Sequence, residues 1–263
     1  MIRDITIGQY YPSESVIHRL DARVKFIGTI GYVIALFLFD TFWGFLPALF
    51  WLGMIIVLSG IPLRFIAKGL KPILFLLVFL ALFNLFLTPG EVIAEWWIFK
   101  ITDKGLENAG FMSLRLMFLV IGSSMMTYTT TPSQLTAGME SLFKPLGLFK
   151  VPVHEVAMMM SIALRFIPIL LEETDKIMKA QQARGADFES GNIFKRAKAL
   201  IPVLVPLFVS AFRRAGELAE AMEARCYHGG KGRTKLHPLK FAARDYISLA
   251  LIICFVVGMG FMP

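Results

Sequence analysis

Long uncharged apolar runs dominate the chain, and their lengths predict membrane-spanning helices. A helix crosses the hydrocarbon core of a bilayer with about 20 mainly apolar residues. Five candidate spans cover residues 26–39, 41–62, 72–90, 106–128 and 246–263. The first is short, but Arg23 and Lys25 precede it and can extend their charged ends to the headgroups. The pattern predicts an all-α membrane protein with about five transmembrane helices.

Two further apolar runs, residues 156–164 and 199–212, are shorter than a bilayer is thick. They lie in a 117-residue segment, 129–245, which is too long for a simple connection. Proline and glycine divide this segment into three predicted helices, after Thr131, from about Pro152 to Gly185, and from about Ile193 to Tyr227. The predicted organisation is therefore residues 1–128 for the N-terminal segment and four spans, 129–245 for cytoplasmic or interfacial helices, and 246–263 for the last span.

The distribution of charged residues predicts how the chain is oriented in the membrane. Apolar residues make up 56% of the sequence and charged residues 17%, and the formal charge is +8. With a cytoplasmic N-terminus, the inside segments 1–25, 61–71 and 129–245 hold 4, 3 and 17 of the 27 Lys and Arg residues, together 24. The positive-inside rule predicts a cytoplasmic N-terminus and a C-terminus outside. Because the bilayer explains the charge, no nucleic-acid partner is predicted, and no nucleic-acid-binding motif occurs.

The second and third helices of the long segment share a plan. An apolar stripe on the third helix is predicted from Leu204, Phe208, Ala211, Ala215, Leu218 and Met222. Alanines four apart favour close crossing of two long helices. Each helix ends in an Ala-Arg pair, and Arg184 and Arg225 are 41 residues apart. An arginine there can simply stabilise the helix C-terminus, or the two can form a paired docking device for a soluble partner.

The chain resembles the transmembrane T component of energy-coupling factor (ECF) transporters, relatives of ABC importers. The resemblance covers nearly the whole chain and is strongest in TPSQLTAGMESLFKPL, VPVHEVAMMMSIALRFIPILLEETDKIMKAQQARGAD and EARCYH; IGQYYPSESVIHRLDARVK at the N-terminus also fits. It departs from the family pattern at Ala22, where proline is usual, and at Cys226, where many members have glycine. The second departure predicts a less sharply broken helix end.

The resemblance implies a multi-pass protein of a prokaryotic cell membrane that takes part in vitamin or other micronutrient uptake. Its implied partners are two ABC-type ATPase subunits and a membrane-embedded, substrate-binding S component. It implies that crossed coupling helices carry ATP-driven motion to the S component. The implied ATPase-coupling residues are Ala183, Arg184, Gly185, Ala224, Arg225 and Cys226. An S-component interface is expected at Met158, Met159, Ile162, Phe166, Leu170 and Leu146.

Chemistry carried by this chain itself is not indicated. GGKGRT at residues 229–234 lacks the spacing of a P-loop, so no bound cofactor is expected, and ATP and magnesium are assigned to the partner ATPases. Histidines and cysteines show no metal-ligand spacing. A membrane-bound enzyme would need a catalytic constellation that the segment 129–245 does not offer. The alternative function is a self-sufficient secondary transporter, which would need paired ionisable residues at the bilayer midplane.

Arg115 is the one cation inside a predicted span. An arginine at a helix centre costs roughly 2.5 to 3.5 kcal/mol on insertion scales, so it must face the bundle or water. A role in a proton or substrate path and a role in fixing the bundle both remain open. The structural role is favoured, in which Arg115 hydrogen-bonds to helix ends or to an acidic neighbour.

Overall fold

The computed structural model describes residues 10–96, 99–188, 190, 192–229 and 239–262. Within these residues the helices are α1 (Ala22–Leu36), α2 (Phe45–Ser59), α3 (Leu63–Leu87), α4 (Asp103–Thr129), α5 (Pro132–Phe143), α6 (Val153–Ala183), α7 (Ile193–Ala224) and α8 (Ala243–Gly260). Short 3-10 helices precede α2 (Phe42–Gly44) and follow α5 (Lys144–Phe149). A small antiparallel ribbon, β1 (Val92–Trp96) and β2 (Phe99–Thr102), separates α3 from α4.

The predicted all-α membrane fold is confirmed, with the ribbon as a minor addition. Among the described residues, six helices are long and apolar enough to cross a membrane: Phe42–Ser59, Leu63–Leu87, Asp103–Thr129, Val153–Ala183, Phe194–Ala224 and Ala243–Gly260. The prediction of about five spans is close to this number. The sets differ because α1 has only 15 residues, while α6 and α7 continue through their prolines as single long helices.

The third helix begins earlier than its apolar run. Pro72 lies inside α3, which starts at Leu63. A proline within a helix removes one N–H donor and leaves the carbonyl four residues earlier without its partner. That carbonyl belongs to Lys68, in the first part of α3, which also carries Arg64 and Lys71. The helix can therefore extend back through its cationic end, where water can reach a free carbonyl.

The chain forms two compact units. The bundle unit comprises Gly8–Gly138 and Leu239–Pro263, and the described part of the hairpin unit lies within Met139–Pro238. In the bundle unit α4 packs against α1, α2 and α3, and α8 packs against α1. Aromatic rings fill much of its core: the Phe45 ring centroid lies 5.0 Å from that of Phe39, 5.1 Å from Phe111 and 5.5 Å from Phe118. Such pairs add to the free energy gained by burying apolar area.

Arg115 projects from α4 into this aromatic core and is only 8% exposed. Its guanidinium donates hydrogen bonds to the backbone carbonyl of Phe39 and, at 3.2 Å, to the carboxylate of Asp40. It also lies over the Phe111 ring, 4.6 Å from the ring centroid. The charge is therefore met by a carbonyl just beyond α1, by an anion and by a π-face. These contacts support a role in fixing α1 against α4.

A polar network joins the beginning of α1 to the ends of two other helices. The Lys25 ammonium donates hydrogen bonds to the carbonyl of Thr129, the last residue of α4, at 2.7 Å and to that of His18 at 3.1 Å. The Asp245 carboxylate accepts from the backbone N–H groups of Asp21 at 2.9 Å and Ala242 at 2.8 Å. A cation at a helix C-terminus and an anion at an N-terminus are both favoured by the helix dipole.

Asp21 caps α1 and pairs with Arg23. Its carboxylate accepts the Arg23 backbone N–H at 2.9 Å and the guanidinium at 2.7 Å. Burial raises the pKa of this carboxyl, but the hydrogen bonds and the positive charge of Arg23 outweigh burial and hold the pKa below its ordinary value. Asp21 is therefore a stable anion at neutral pH.

Candidate functional site

The hairpin unit is built on two antiparallel helices. The Gln181 side-chain amide near the end of α6 donates to the backbone carbonyl of Pro202 near the start of α7, at 3.4 Å. Glu173, eight residues before Gln181 on α6, contacts Ser210, eight residues after Pro202 on α7. Because residue numbers fall along α6 where they rise along α7, the two helices are antiparallel along this stretch.

The hydrogen bond from Gln181 follows from the spacing of two prolines. In an α-helix the carbonyl of residue 202 accepts the N–H of residue 206. Pro206 has no N–H, so the Pro202 carbonyl is left without its helical donor and is free to accept another hydrogen bond. Gln181 supplies one from the neighbouring helix. The proline pair in α7 thus creates an acceptor through which α6 is attached.

A polar clamp, defined as Glu173, Ser210 and Arg214, fixes the two helices near their middle. Ser210 is 5% exposed, and its hydroxyl donates to one carboxylate oxygen of Glu173. The Arg214 guanidinium donates to the other oxygen through Nε at 3.2 Å and Nη2 at 3.1 Å. Both oxygens of the carboxylate are therefore occupied, by one buried hydroxyl and one charge-assisted pair.

The inner face of α7 agrees only in part with the predicted apolar stripe, of which Ala211, Leu218 and Met222 are half-buried. Val203 and Ser210 are buried, at 3% and 5% exposure, whereas Leu204 and Phe208 are exposed at 47% and 61%. The prediction placed Leu204 and Phe208 on the packed face because it followed apolar residues alone. The polar clamp instead turns Ser210 and Arg214 inward, so the apolar side chains beside them remain uncovered within the described structure.

Helix α6 ends in a Schellman motif centred on Arg184. Gly185 has φ +87°, in the left-handed region. The Ala186 N–H donates to the carbonyl of Gln181 and the Gly185 N–H to that of Gln182, both at 2.9 Å. These two bonds satisfy carbonyls that a helix end otherwise leaves free. Arg184 is the C-cap residue, and its side chain is exposed.

Helix α7 ends in the same way at Arg225. Cys226 has φ +55°, and the Tyr227 N–H donates to the carbonyl of Met222 at 3.0 Å. The Cys226 N–H donates to the carbonyl of Glu223 at 2.8 Å. The expectation of a less sharply broken end is wrong, because the hydrogen bonds hold cysteine in the conformation that glycine adopts more readily.

The six residues predicted for ATPase coupling thus form two equivalent helix ends. Ala183 and Ala224 are the last helical residues, Arg184 and Arg225 are the next residues along, and Gly185 and Cys226 reverse the chain. All six are exposed, and among the described residues the side chain of neither arginine has a hydrogen-bonding or ion-pair partner. Residues 202 to 225 span about 35 Å of helix at about 1.5 Å per residue, so the two ends lie far apart.

The residues predicted for an S-component interface differ in how exposed they are. Met159 is 58% exposed. The half-buried members are Met158, Ile162, Phe166 and Leu170. Leu146 belongs to the 3-10 helix after α5, and its side chain lies outside the described part of the structure.

Residues that the sequence reasoning missed are those of the polar clamp and Gln181. The spacing of Pro202 and Pro206 was the available signal, since it leaves one carbonyl without its helical partner. In addition, the His154 ring contacts the Glu140 carboxylate at 3.0 Å and joins α5 to α6. Over the described residues, no three His, Cys, Asp or Glu side chains are grouped so as to hold a metal ion.

Comparison with known proteins gives a consistent class. The family model CbiQ, described as "Cobalt transport protein", matches residues 13–236. Together with the six apolar helices, this match defines a multi-pass membrane component of a transporter. More particularly, the chain belongs to the family of energy-coupling factor transporter transmembrane proteins, as its relatives show.

Its relatives include proteins named "Energy-coupling factor transporter transmembrane protein EcfT" from three bacteria. The one from Ruminiclostridium cellulolyticum is 54% identical over 262 residues, covering 100% of this chain and 98% of the relative. That from Clostridium kluyveri is 52% identical over 250 residues, covering 94% of this chain and 93% of the relative. That from Bacillus subtilis is 46% identical over 264 residues, covering 100% of this chain and 99% of the relative. The predicted resemblance is confirmed, and the relatives' name implies a transporter complex with other subunits.

Proposed function

We propose that this chain is the non-catalytic scaffold of an ATP-driven importer for a vitamin or other micronutrient. Two partner ATPases bind at Arg184 and Arg225, and a membrane-embedded S component binds apolar surfaces of α6 and α7. ATP binding and hydrolysis move the ATPases, the hairpin helices follow, and the S component is reoriented. The proposal also places the N-terminus in the cytoplasm and the C-terminus outside the cell membrane.

The observation that carries this proposal is the pair of matching helix ends. Two Schellman motifs each present an exposed arginine, and the antiparallel helices set them at opposite ends of the hairpin. A single partner site could not receive both arginines across about 35 Å of helix. Two copies of a similar ATPase surface could. The guanidinium suits such a site because its planar donors can bind carboxylates or backbone carbonyls together.

The polar clamp gives the arrangement a mechanical basis. A displacement at one end of a helix is transmitted to the other only if the helix is braced against its neighbour. Glu173 is held from α7 by both Ser210 and Arg214, and Gln181 adds a second attachment nearer Arg184. Motion applied at either arginine would therefore move the hairpin as a unit.

The S component would bind the apolar surface that the hairpin exposes. Met159 on α6 and Leu204, Phe208 and Phe212 on α7 are all more than 40% exposed, and the α7 residues are spaced four apart. A flexible methionine and projecting rings suit a surface that must bind and release an apolar partner. Met158, Ile162, Phe166 and Leu170 on α6, and Leu146 in the preceding 3-10 helix, remain proposed contacts of the S component.

Chemistry is assigned to the partner chains in this proposal. ATP and magnesium would be bound by the ATPases, and this chain would bind no cofactor. It would contribute docking and transmission, and substrate specificity would reside in the S component.

The test is reversal of charge at the two arginines. Arg184→Glu and Arg225→Glu, singly and together, should weaken ATPase retention during purification from membranes. If each arginine forms a buried charge pair in the complex, the loss is about 2 to 5 kcal/mol per site. Quantifying each ATPase against this chain after affinity purification measures it, and transport into vesicles measures coupling.

Lys179→Glu and Arg196→Glu are matched controls, since both residues are exposed cations on the same two helices. They should retain the ATPases. Normal ATPase retention and transport by the double arginine variant would refute the docking assignment. Transport by the purified chain alone would instead favour the secondary-transporter alternative.

A further inference from the structure

The bundle unit contains a partly open cavity of about 310 Å³ between α1, α2, α4 and α8. Its walls are mostly apolar. Representative lining residues are Val24 on α1, Leu52 on α2, Met126 on α4 and Ile252 on α8. A cavity of this size lies at the small end of the range for small-molecule sites, about 300 to 1,000 Å³. An α-helix with its side chains is about 10 to 12 Å across, so a partner helix is too wide for a cavity of about 310 Å³.

Charge is confined to one end of this cavity. Among the described lining residues the charged ones are Lys25 and Arg244, both cations. Lys25 is buried and bonded to two carbonyls, whereas Arg244 is exposed and has no partner among the described residues. Nearby Asp245 is buried, and its carboxylate accepts two backbone N–H groups. Arg244 is thus left available to an external anion at the mouth of an apolar cavity.

The depth of the cavity is less than the thickness of one membrane leaflet. Its lining runs along α1 from Val24 to Tyr32 and along α8 from Arg244 to Ile252. Each stretch covers eight residue steps, or about 12 Å at about 1.5 Å per residue. Half of the hydrocarbon core is about 15 Å thick. The cavity therefore extends from a cationic end into the apolar layer and stops short of the bilayer midplane.

We propose that this cavity binds one acyl chain of an anionic glycerophospholipid, with the lipid phosphate on Arg244. An apolar slot of this depth suits an acyl chain, and an unpaired arginine at its mouth suits a phosphate, which guanidinium can bind through two donors. The lipid would fill space between α1, α2 and α8 that the chain itself leaves open. This inference is independent of the coupling proposal, since the cavity lies wholly within the bundle unit.

The experiment measures lipid retention by the full chain in detergent using native mass spectrometry. The probes are phosphatidylglycerol and phosphatidylcholine with identical acyl chains, added in equal amounts. Wild type should retain phosphatidylglycerol preferentially. Arg244→Ala should lower that preference about fivefold, the effect of roughly 1 kcal/mol per cation at an anionic surface. Arg19→Ala is the matched control, since Arg19 is an exposed cation paired with Glu14 outside the cavity lining.

A second variant tests the slot itself. Ser248 lines the cavity and is half-buried, whereas Ala250 on the same helix is exposed and outside the lining. Ser248→Phe should abolish retention of both lipids, and Ala250→Phe should not. Equal retention of the two lipids by wild type, or unchanged retention in Ser248→Phe, overturns the proposal. If Ser248→Phe fails to fold, the comparison of Arg244→Ala with Arg19→Ala decides alone.

Discussion

At the scale of single residues, long polar side chains repeatedly satisfy backbone carbonyls that helices leave free. Lys25 binds the carbonyl of Thr129 at the end of α4, and Arg115 binds that of Phe39 beyond α1. Gln181 binds the carbonyl that Pro206 leaves unpaired in α7. The contacts of Lys25 and Arg115 are buried, where a carbonyl without a donor is costly, whereas that of Gln181 is exposed. These three residues therefore join helix to helix as well as satisfy a backbone group.

Cys226 offers a residue-scale prediction because it occupies a position that favours glycine. Its φ of +55° is held by the hydrogen bonds of the Schellman motif. A left-handed conformation costs a residue with a Cβ roughly 1 to 2 kcal/mol. Cys226→Gly should therefore stabilise the end of α7 by about 1 kcal/mol. Slower amide hydrogen exchange at positions 226 and 227, relative to wild type, would show the gain.

The other helix end supplies the converse variant. Gly185 has φ +87°, and no heavy atom lies within 4 Å of a Cβ built there, so the strain is not confounded by a clash. Gly185→Ala should destabilise the end of α6 by roughly the same amount. Faster amide hydrogen exchange at positions 226 and 227 in Cys226→Gly would contradict this account. It would mean that the ends of α6 and α7 differ by more than the residue at the left-handed position.

At the scale of elements, the polar clamp determines how α6 and α7 face one another. Arg214 is partly exposed, so its ion pair with Glu173 is worth no more than about 1 kcal/mol, and the buried Ser210 hydroxyl adds to it. A double-mutant cycle of Glu173→Gln and Arg214→Ala should give a coupling free energy of about 0.5 to 1 kcal/mol. Thermal unfolding of the purified complex measures it.

The same variants should affect coupling more than stability. A loosened hairpin transmits less of the movement applied at Arg184 and Arg225, so Glu173→Gln should raise the ATP hydrolysed per substrate transported. Glu217→Gln is the control, since Glu217 is an exposed carboxylate on α7. An unchanged ratio in Glu173→Gln would mean that the clamp is not needed for transmission.

The positions of the helices could be predicted from the sequence better than which of their faces are buried. Punctuation by Thr131, Pro152 and Gly185 located the helices of the long segment, because caps and breakers act locally. The inner face of α7 was predicted only in part, because Ser210 and Arg214 become interior only when Glu173 from α6 meets them. The partners of Arg115 were foreseen by type, a helix end and an acidic group, but not by identity. Contacts over 75 residues depend on the whole bundle.

At the scale of the whole molecule, α6 and α7 raise a question of topology. Both are long and apolar enough to cross a membrane. If both crossed, the C-terminus would stay on the same side, because two crossings cancel. The end of α6, however, would lie on the other side of the membrane, so Arg184 and Arg225 would be on opposite sides. The proposed docking of two cytoplasmic ATPases therefore requires that the hairpin does not span the bilayer.

Charge argues that the second half of α6 does not lie in the hydrocarbon core of a bilayer. The second half of α6 carries Glu172, Glu173, Asp175, Lys176 and Lys179. Asp, Lys and Arg each cost roughly 2.5 to 3.5 kcal/mol at a membrane helix centre. The i,i+4 pairs Glu172 with Lys176 and Asp175 with Lys179 instead suit a solvated surface. The apolar first halves of the two helices would then lie at the interface or under a membrane partner.

Cysteine labelling from outside the cell tests this topology directly. In a background of Cys226→Gly and Cys254→Ala, single cysteines are introduced by Ser190→Cys after α6, His228→Cys after α7 and Phe261→Cys after α8, all at exposed positions. A membrane-impermeant maleimide should react from outside with the Phe261→Cys variant only, and with the other two after permeabilisation. External labelling of Ser190→Cys but not His228→Cys would mean that the hairpin crosses, and docking of both arginines on cytoplasmic ATPases would then be impossible.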